Sequence, residues 1–242
     1  MDFTSGHADG AETTETMIAV RPSADPAALR RSYESGELTE SALADSWLEQ
    51  LQRWYDEAAA DARIGEPNAM QVATVDAAGR PDVRTVLARG FDRRGVVFYT
   101  NYSSAKGQQL AEHSVAAAVF AWLPAERQVR LRGPVSKVSR AETEAYFAGR
   151  PRGSQLATWA SPQSEILTSR QQLDDLLTEV TARFGNVAEI PAPPHWGGYR
   201  IEVTEAEFWQ GRQFRLHDRL RFRQQPADGT AGAAWIVERL AP

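Results

Sequence analysis

The chain of 242 residues contains no cysteine and only four histidines, at His7, His113, His195 and His217. Without cysteine the protein has no disulfide bond, no thiolate catalysis and no cysteine-ligated metal site. The histidines are scattered through the chain and show no ligand spacing. The sequence therefore predicts no metal site.

Lysine is also scarce, because Lys106 and Lys137 are the only two, against 25 arginines. The net charge is nevertheless −5, and an acidic protein is a poor match for the phosphate backbone of a nucleic acid. No segment approaches the roughly 20 apolar residues of a membrane span. We therefore expect neither nucleic acid nor a membrane as a partner.

The remaining composition is ordinary for a globular protein, with 42% hydrophobic and 24% charged residues. Residues 26–242 are long enough for one domain with a sizeable core. Residues 1–25 are acidic, rich in Thr and Ala, and lack the apolar run of a signal peptide. We expect a mobile leader in front of a single domain of a cytoplasmic protein.

Hydrophobic periodicity and turn residues predict a β-barrel with helical insertions. The predicted helices cover residues 27–33, 40–62, 105–113, 140–150 and 161–184. The predicted strands cover residues 70–75, 83–88, 95–100, 115–122, 127–138 (with a possible break at 133–134), 199–203, 206–209, 215–223 and 234–240.

The stretch over residues 208–219 reads FWQGRQFRLHDR and contains an unusual set of cations. If the part after its glycine is extended, Arg215, His217 and Arg219 share one face, because strand side chains alternate. Cations on one face repel one another, so an anionic, planar ligand beside Trp209 would stabilise them. An edge strand with a solvated basic face explains the spacing equally well.

Two groups of residues could bind phosphate. Arg84 and Lys106 accompany the helix that begins after Ser104, and a helix N-terminus favours anions through unpaired N–H groups and the helix dipole. Tyr146 and Arg150 share a face of the helix predicted over residues 140–150, with Ser154 shortly after it. From the residues alone, stacking of Tyr146 on Arg150 at the surface is the simpler explanation of the second group.

The pattern FWQG followed by RLHDR, with RTVLAR, FYTN, SAK, ERQV, YFAGRPRGSQ and SPQS upstream, resembles the pyridoxamine/pyridoxine 5′-phosphate oxidase family. The resemblance extends from about Leu29 to the C-terminus. It implies a mainly β, FMN-binding split β-barrel with helical insertions. It also implies an FMN-dependent oxidase of vitamin B6 metabolism that forms pyridoxal 5′-phosphate from pyridoxamine or pyridoxine 5′-phosphate, reduces O2 to H2O2, and is a homodimer with FMN at the subunit interface.

The resemblance further implies roles for individual residues. Those implied for FMN are Arg84, Val86, Leu87, Tyr99, Thr100, Lys106, Gln128, Gln163, Ser164, Trp209 and Arg219. Those implied for the substrate are Arg30, Tyr33, Arg89, Tyr146, Arg150, Ser154, Arg215 and His217, the last two as catalytic residues. Two positions depart from the family pattern: Ala105 replaces a second basic residue, and Arg89 replaces a lysine.

Three of these residues raise two questions of local structure. Ser164 is expected in the first turn of a helix that Ser161 and Pro162 begin. Arg84 and Arg89 are an odd number of residues apart, so an unbroken strand would direct them to opposite faces. Either a bulge intervenes near residue 90 or the two arginines serve different pockets.

Two other functions remain open at this point. One is a related flavin oxidase of the phenazine type, which acts on a ring without phosphate. The other is a split-barrel protein that binds flavin or pyridoxal phosphate without catalysis. The group Tyr146, Arg150 and Ser154 favours a phosphorylated substrate, and the pair Arg215 and His217 favours an enzyme.

Overall fold

The structure, a computed structural model, describes Ala28, residues 32–225 and residues 234–242. Contacts within the chain group Tyr33–Pro242 into one unit. The leader over residues 1–25, Arg30 and most of the helix predicted over residues 27–33 lie outside the described residues. Tyr33 is described and lies in no helix.

The described residues form five α-helices, and serine begins most of them. They are α1 (Trp47–Ala60), α2 (Ala105–Glu112), α3 (Arg140–Ala148), α4 (Arg152–Ala160) and α5 (Arg170–Phe184). In α1, α2, α3 and α5 the hydroxyl of the N-cap serine accepts a hydrogen bond from a backbone N–H of the first turn. No described helix is long and apolar enough to cross a membrane.

The described part of the chain also forms a ten-stranded sheet. Its strands are β1 (Ala69–Val75), β2 (Pro81–Leu87), β3 (Gly90–Asp92), β4 (Gly95–Asn101), β5 (Val115–Trp122), β6 (Arg127–Lys137), β7 (Trp196–Ile201), β8 (Glu205–Gln210), β9 (Asp218–Gln224) and β10 (Trp235–Arg239). One path runs in the order β10-β9-β8-β6-β5-β1-β2, while β7 links β6 to β4 and β4 pairs with β3.

The long strand β6 makes the sheet curl. Its first half pairs with β8, and after Gly133 and Pro134 it pairs with β7 instead. A side chain at Gly133 would place a Cβ atom 1.8 Å from the carbonyl oxygen of Glu202, so only glycine fits there. The predicted break in this strand is thus a change of partner within a continuous strand, and the curled sheet agrees with the predicted β fold with helical insertions.

Two hydrophobic clusters stabilise the fold. The larger lies between α1 and the sheet, where Trp47, Leu51 and Trp54 are almost fully buried. The smaller lies under α3, α4 and α5 and contains Phe147, Phe184 and Trp196. The second cluster matters for function because partly buried Tyr99 and Tyr146 pack against it.

The predicted helix over residues 161–184 is wrong at its start. The backbone N–H of Ser161 instead closes α4 by bonding to the carbonyl of Ala157, and Ser169 is the residue that caps α5. The Ser-Pro pair fits a helix start locally, but Ser169 supplies the hydrogen bond that a start requires. Ser164 therefore lies in an exposed turn with a left-handed φ of 74° and not in a first helical turn.

The predicted strand over residues 215–223 is also wrong at its start. Strand β9 begins at Asp218, which pairs with Gln210 at the end of β8. The residues between them form the connection, with a 3₁₀ turn over Gln213–Arg215 and left-handed φ angles at Phe214 (57°) and Arg215 (64°). The argument that Arg215, His217 and Arg219 share a strand face therefore fails.

Candidate active site

A cavity of about 420 Å³ lies where the ends of β2 and β4 meet the start of α2 and the α3–α4 connection. Its size is within the range of roughly 300–1,000 Å³ that is typical of small-molecule sites. Of the residues predicted to contact FMN, it is lined by Val86, Leu87, Tyr99, Thr100, Lys106 and Gln163. Of those predicted to contact the substrate, it is lined by Arg89, Tyr146, Arg150 and Ser154.

The cavity is strongly cationic. Lys106, Arg89 and Arg150 all line it, and no aspartate or glutamate is among its described lining residues. None of the three forms an ion pair within the described part of the chain. Lys106 is buried and Arg150 is partly buried. A cation removed from water without a counter-charge is costly, so the cavity is suited to an anionic ligand.

Lys106 is the buried cation among the described residues that line the cavity. It lies in the first turn of α2 and is 8% exposed. Its ammonium donates only to neutral oxygens, at 3.3 Å to Thr100 Oγ1 and 3.4 Å to Gln163 Oε1. Burial lowers the pKa of Lys106, and the nearby charge of Arg84 lowers this pKa further. A bound phosphate would offset both effects.

Arg84 does not line the cavity, although it is close enough to affect Lys106. Its guanidinium pairs with the carboxylate of Asp82 and donates to Thr74 Oγ1 and, at 3.1 Å, to Gln109 Oε1. Arg89 lies beyond the end of β2 and does line the cavity. The two arginines therefore occupy different surroundings. Strand β2 ends at Leu87, between them, so they do not belong to one unbroken strand.

Arg150 lines the cavity from the connection just after α3. Its guanidinium lies 4.7 Å from the ring centroid of Trp196 and donates a 2.6 Å hydrogen bond to Thr158 Oγ1. Burial lowers the pKa of Arg150, and the charge of Arg89 also acts to lower it. Tyr146 does not stack on Arg150 but on Tyr99, with ring centroids 3.9 Å apart.

Two residues that line the cavity beside Arg150 were not predicted from the sequence, namely Trp196 and Thr158. Trp196 stacks on Tyr99 with centroids 5.3 Å apart, so three parallel aromatic rings form one wall of the cavity. The signal available was the Trp-Gly-Gly run at the start of β7, since a large ring before two glycines is typical of close packing. Thr158 gave no signal because helix α4 itself was not predicted.

A second cluster of predicted residues lies around Trp209 and outside the cavity. The rings of Tyr33 and His217 lie 5.8 and 4.6 Å from the Trp209 ring, and Gln128 is paired with Trp209 across β6 and β8. A Cβ atom on Gly211 would lie 2.8 Å from the Tyr33 ring, which explains the glycine. The predicted residues that do not line the cavity are Tyr33, Arg84, Gln128, Ser164, Trp209, Arg215, His217 and Arg219.

Two side chains of this second cluster, those of His217 and Arg219, have defined hydrogen-bond partners. His217 Nδ1 accepts a 3.1 Å hydrogen bond from the backbone N–H of Arg212, so this nitrogen carries no proton. Burial lowers the pKa of His217 and the charge of Arg215 lowers it further. Arg219 donates at 2.8 Å to Glu207, which raises the pKa of this arginine.

A curled β-sheet with helical insertions is the architecture of a split β-barrel, and its cationic cavity is suited to an anionic ligand. Two family models match the sequence: one described as pyridoxamine 5′-phosphate oxidase over residues 56–210, and one described as the pyridoxine 5′-phosphate oxidase C-terminal dimerisation region over residues 196–242. The chain belongs to the pyridoxamine 5′-phosphate oxidase family. The predicted oxidoreductase class and FMN cofactor are confirmed at the level of this family, and the dimerisation region supports the predicted homodimer.

Similar proteins agree with this membership. A pyridoxine/pyridoxamine 5′-phosphate oxidase of Saccharopolyspora erythraea is 54% identical, over 96% of this chain and 99% of the relative. One of Salinispora arenicola is 52% identical, over 90% and 96%. The structure of PhzG from Burkholderia lata 383 with tetrahydrophenazine-1-carboxylic acid is 32% identical, with a TM-score of 0.75 over 85% of this chain and 98% of that one. An FMN-binding protein from Nostoc punctiforme, 18% identical with a TM-score of 0.63 over 83% and 99%, shares the fold.

Proposed function

We propose that the protein is an FMN-dependent oxidase that converts pyridoxamine 5′-phosphate or pyridoxine 5′-phosphate to pyridoxal 5′-phosphate. The observation that carries this proposal is the cavity with three cations and no carboxylate among its described lining residues. FMN and the substrate each contain a phosphate, and cations that two different parts of the fold supply to one cavity, Lys106 from α2 and Arg150 from the α3–α4 connection, match two phosphates. We further propose vitamin B6 metabolism as its role and the cytoplasm as its location.

The residues present fit the two ligands. Lys106, with Arg84 behind it, would hold the FMN phosphate at the start of α2, while Val86, Leu87, Tyr99, Thr100 and Gln163 would line the flavin. Arg89, Tyr146, Arg150 and Ser154, which line the same cavity, would hold the substrate phosphate. Bound FMN would supply the redox chemistry by accepting a hydride from C4′ of the substrate and passing two electrons to O2, which gives H2O2.

The Trp209 cluster would complete the site from a second copy of the chain. Trp209, Gln128 and Arg219 are proposed flavin contacts, and Tyr33, Arg215 and His217 proposed substrate contacts, yet none of them lines the cavity of their own chain. In a homodimer one subunit's cluster can face the other subunit's cavity, with FMN at the interface. Ser164 and Arg30 keep their predicted roles in this proposal, as contacts of FMN and of the substrate.

Arg215 and His217 would act on the pyridine ring. Arg215 carries a permanent charge and can lie flat against a ring. His217 has a lowered pKa and is therefore neutral near pH 7, so it can accept or donate a hydrogen bond without adding charge. With pyridoxamine phosphate, water must also add at C4′ and ammonia must leave for the aldehyde to form.

A phenazine-type oxidase is the second candidate, because the similarity to PhzG covers 85% of this chain. It would act on a ring without phosphate, for which Arg150, Arg89 and Ser154 would have no partner. The presence of Arg89 and Arg150 in the cavity, in addition to Lys106, therefore favours the first candidate, whose substrate contains a phosphate.

The test is to incubate purified, FMN-loaded protein with pyridoxamine 5′-phosphate and to measure H2O2 together with the 4′-aldehyde. Both products are expected in equal amounts, and pyridoxamine without its phosphate should react far more slowly. Equal rates with and without the phosphate would contradict the assignment of Arg150. Absence of both products in FMN-loaded protein would favour a binding protein over an enzyme.

A further inference from the structure

Thr158 occupies an unusual position between two of the proposed phosphate contacts. It lies in α4, lines the cavity, and accepts a 2.6 Å hydrogen bond from Arg150 Nη1. Its hydroxyl also lies 2.7 Å from the carbonyl oxygen of Ser154. Arginine can only donate and a carbonyl can only accept, so the hydroxyl accepts from Arg150 and donates to Ser154.

The bond to the Ser154 carbonyl is ordinary for threonine in a helix, but the bond from Arg150 is not. Thr178 and Thr181 in α5 make the same backward bond, at 2.8 Å to Asp174 O and 2.7 Å to Leu177 O. Both are exposed, and neither has an arginine partner among the residues that the structure describes. The chain therefore provides an internal comparison in which only Thr158 connects a helix to a cavity arginine.

The hydroxyl and the Trp196 ring together restrict Arg150. The Cζ atom of Arg150 lies over the indole ring, 4.7 Å from its centroid, and Thr158 takes up one of the five N–H groups of the guanidinium. The remaining N–H groups are left for a ligand. A guanidinium that is already fixed loses less conformational entropy when it binds a phosphate.

We propose that Thr158 is a positioning residue for the substrate phosphate. Its hydroxyl holds the guanidinium of Arg150 in the orientation that receives the phosphate and joins it to the Ser154 turn of α4. This inference rests on the proposed function, in which Arg150 and Ser154 bind that phosphate. It adds Thr158 as a residue that supports substrate binding through Arg150, without direct contact with the reacting atoms.

The test compares Thr158→Val, which keeps the shape but loses the hydroxyl, with Thr158→Ser, which keeps the hydroxyl. Thr181→Val is the matched control because it removes only a backward bond in a helix. The ligand is 4-deoxypyridoxine 5′-phosphate, in which a methyl group replaces the reacting C4′ substituent, and 4-deoxypyridoxine is the comparison without phosphate. Dissociation constants of both are measured on FMN-loaded protein, with the melting temperature of each variant.

We expect Thr158→Val to weaken binding of the phosphorylated ligand about ten-fold, the size of a hydrogen bond to a charged group. Binding of 4-deoxypyridoxine, affinity for FMN and kcat should change little, so the loss appears in KM for pyridoxamine 5′-phosphate. Thr158→Ser and Thr181→Val should bind both ligands like the unsubstituted protein. If Thr158→Val unfolds, Thr158→Ala carries the same expectation with a good helix former.

The outcomes separate this inference from the proposed function. If the unsubstituted protein binds both ligands equally well, it has no phosphate site and the proposed substrate class is wrong. If the unsubstituted protein prefers the phosphorylated ligand and Thr158→Val and Thr158→Ala keep that preference in full, the role of Thr158 alone is wrong. Equal weakening of both ligands would assign Thr158 to general stability, which also contradicts the inference.

Discussion

At the scale of single residues, Lys106 is a buried cation without an anionic partner among the described residues. It is 8% exposed, and its ammonium donates only to neutral oxygens. Lys106→Met should keep the fold and bind FMN about ten- to a hundred-fold more weakly, since a charge-assisted contact contributes about 1.5–3 kcal/mol. Equilibrium dialysis with FMN measures the effect. Lys137→Met is the control, because Lys137 is the other lysine and lies over the Tyr102 ring, 4.2 Å from its centroid.

Unchanged FMN affinity in Lys106→Met would move the FMN phosphate away from the start of α2. A loss in Lys137→Met of the same size would show that any lysine charge attracts FMN. The substitution itself should be tolerated, because removal of a buried, unpaired charge also removes its desolvation cost.

The second prediction at this scale concerns the pKa of His217. Burial lowers it below the ordinary 6.5, and the positive charge of Arg215 lowers it further by disfavouring the imidazolium form. Arg215→Ala removes that repulsion, so the pKa of His217 should rise towards 6.5. NMR titration of the histidine Hε1 signals measures the shift, with His217→Asn to assign the signal. Arg170→Ala, on α5, is the control.

A fall or no change in this pKa in Arg215→Ala would mean that the two side chains do not interact in the assembled protein. The same Arg215→Ala variant should lower kcat/KM for pyridoxamine phosphate by at least about ten-fold, or roughly 1.4 kcal/mol. FMN should stay bound, because the proposed flavin contacts are other residues.

At the scale of elements, α2 combines stability with ligand binding. Its N-cap Ser104 is fully buried, accepts from the Gly107 N–H at 3.3 Å and donates to the Asn101 carbonyl at 2.7 Å. Ser104→Ala should lower the free energy of unfolding by about 1 kcal/mol and also weaken FMN binding, because the cap orients the turn that carries Lys106. Chemical denaturation and FMN dialysis measure the two effects.

The matched control for Ser104 is Ser169, the N-cap of α5, which accepts from the Gln172 N–H at 3.2 Å. Ser169→Ala should cost a similar free energy of unfolding, about 1 kcal/mol, and leave FMN affinity unchanged. If both variants lose stability and neither loses FMN affinity, the start of α2 is a structural cap only.

The elements also show which parts of the fold can be predicted from sequence. Helix α2 and strands β1, β4, β5 and β6 follow from periodicity and from local signals such as the cap at Ser104. Helix α4 was missed because Pro151 and Gly153 are typical of a turn, yet Pro151 occupies the N-cap of that helix. The start of β9 was misplaced because alternation in the sequence cannot reveal left-handed angles at Phe214 and Arg215.

The residues of the candidate site, like the elements of the fold, could be predicted from the sequence only in part. Ten of the residues that line the cavity were named from the sequence. Lys106, Tyr146, Arg150 and Ser154 were suggested by their residue types and spacing, and the other six only by the family resemblance. Trp196 and Thr158 were missed because their roles depend on contacts across the fold, with Tyr99 on β4 and with Arg150 beyond α3. A side chain of ordinary type gains a specific role only when packing brings its partner close, and that information lies in tertiary structure.

At the scale of the whole molecule, the two separate groups of site residues make a prediction about assembly. Arg150 lines the cavity and Trp209 belongs to the cluster outside it. If one subunit's cavity meets the other's Trp209 cluster, Arg150→Ala and Trp209→Ala each damage both sites of a homodimer. A mixed dimer of the two variants would instead place both substitutions in one site and leave the other intact.

Co-expression with two different affinity tags and sequential purification isolates such a mixed dimer. We expect it to recover about half of the activity of the unsubstituted dimer, because one of its two symmetric sites is whole. The reciprocal dimer pairs an unsubstituted chain with a chain that carries both substitutions. It should be nearly inactive, since each of its sites then contains one substitution. The opposite pair of results would mean that each chain builds its own complete site, and FMN would then not lie at the interface.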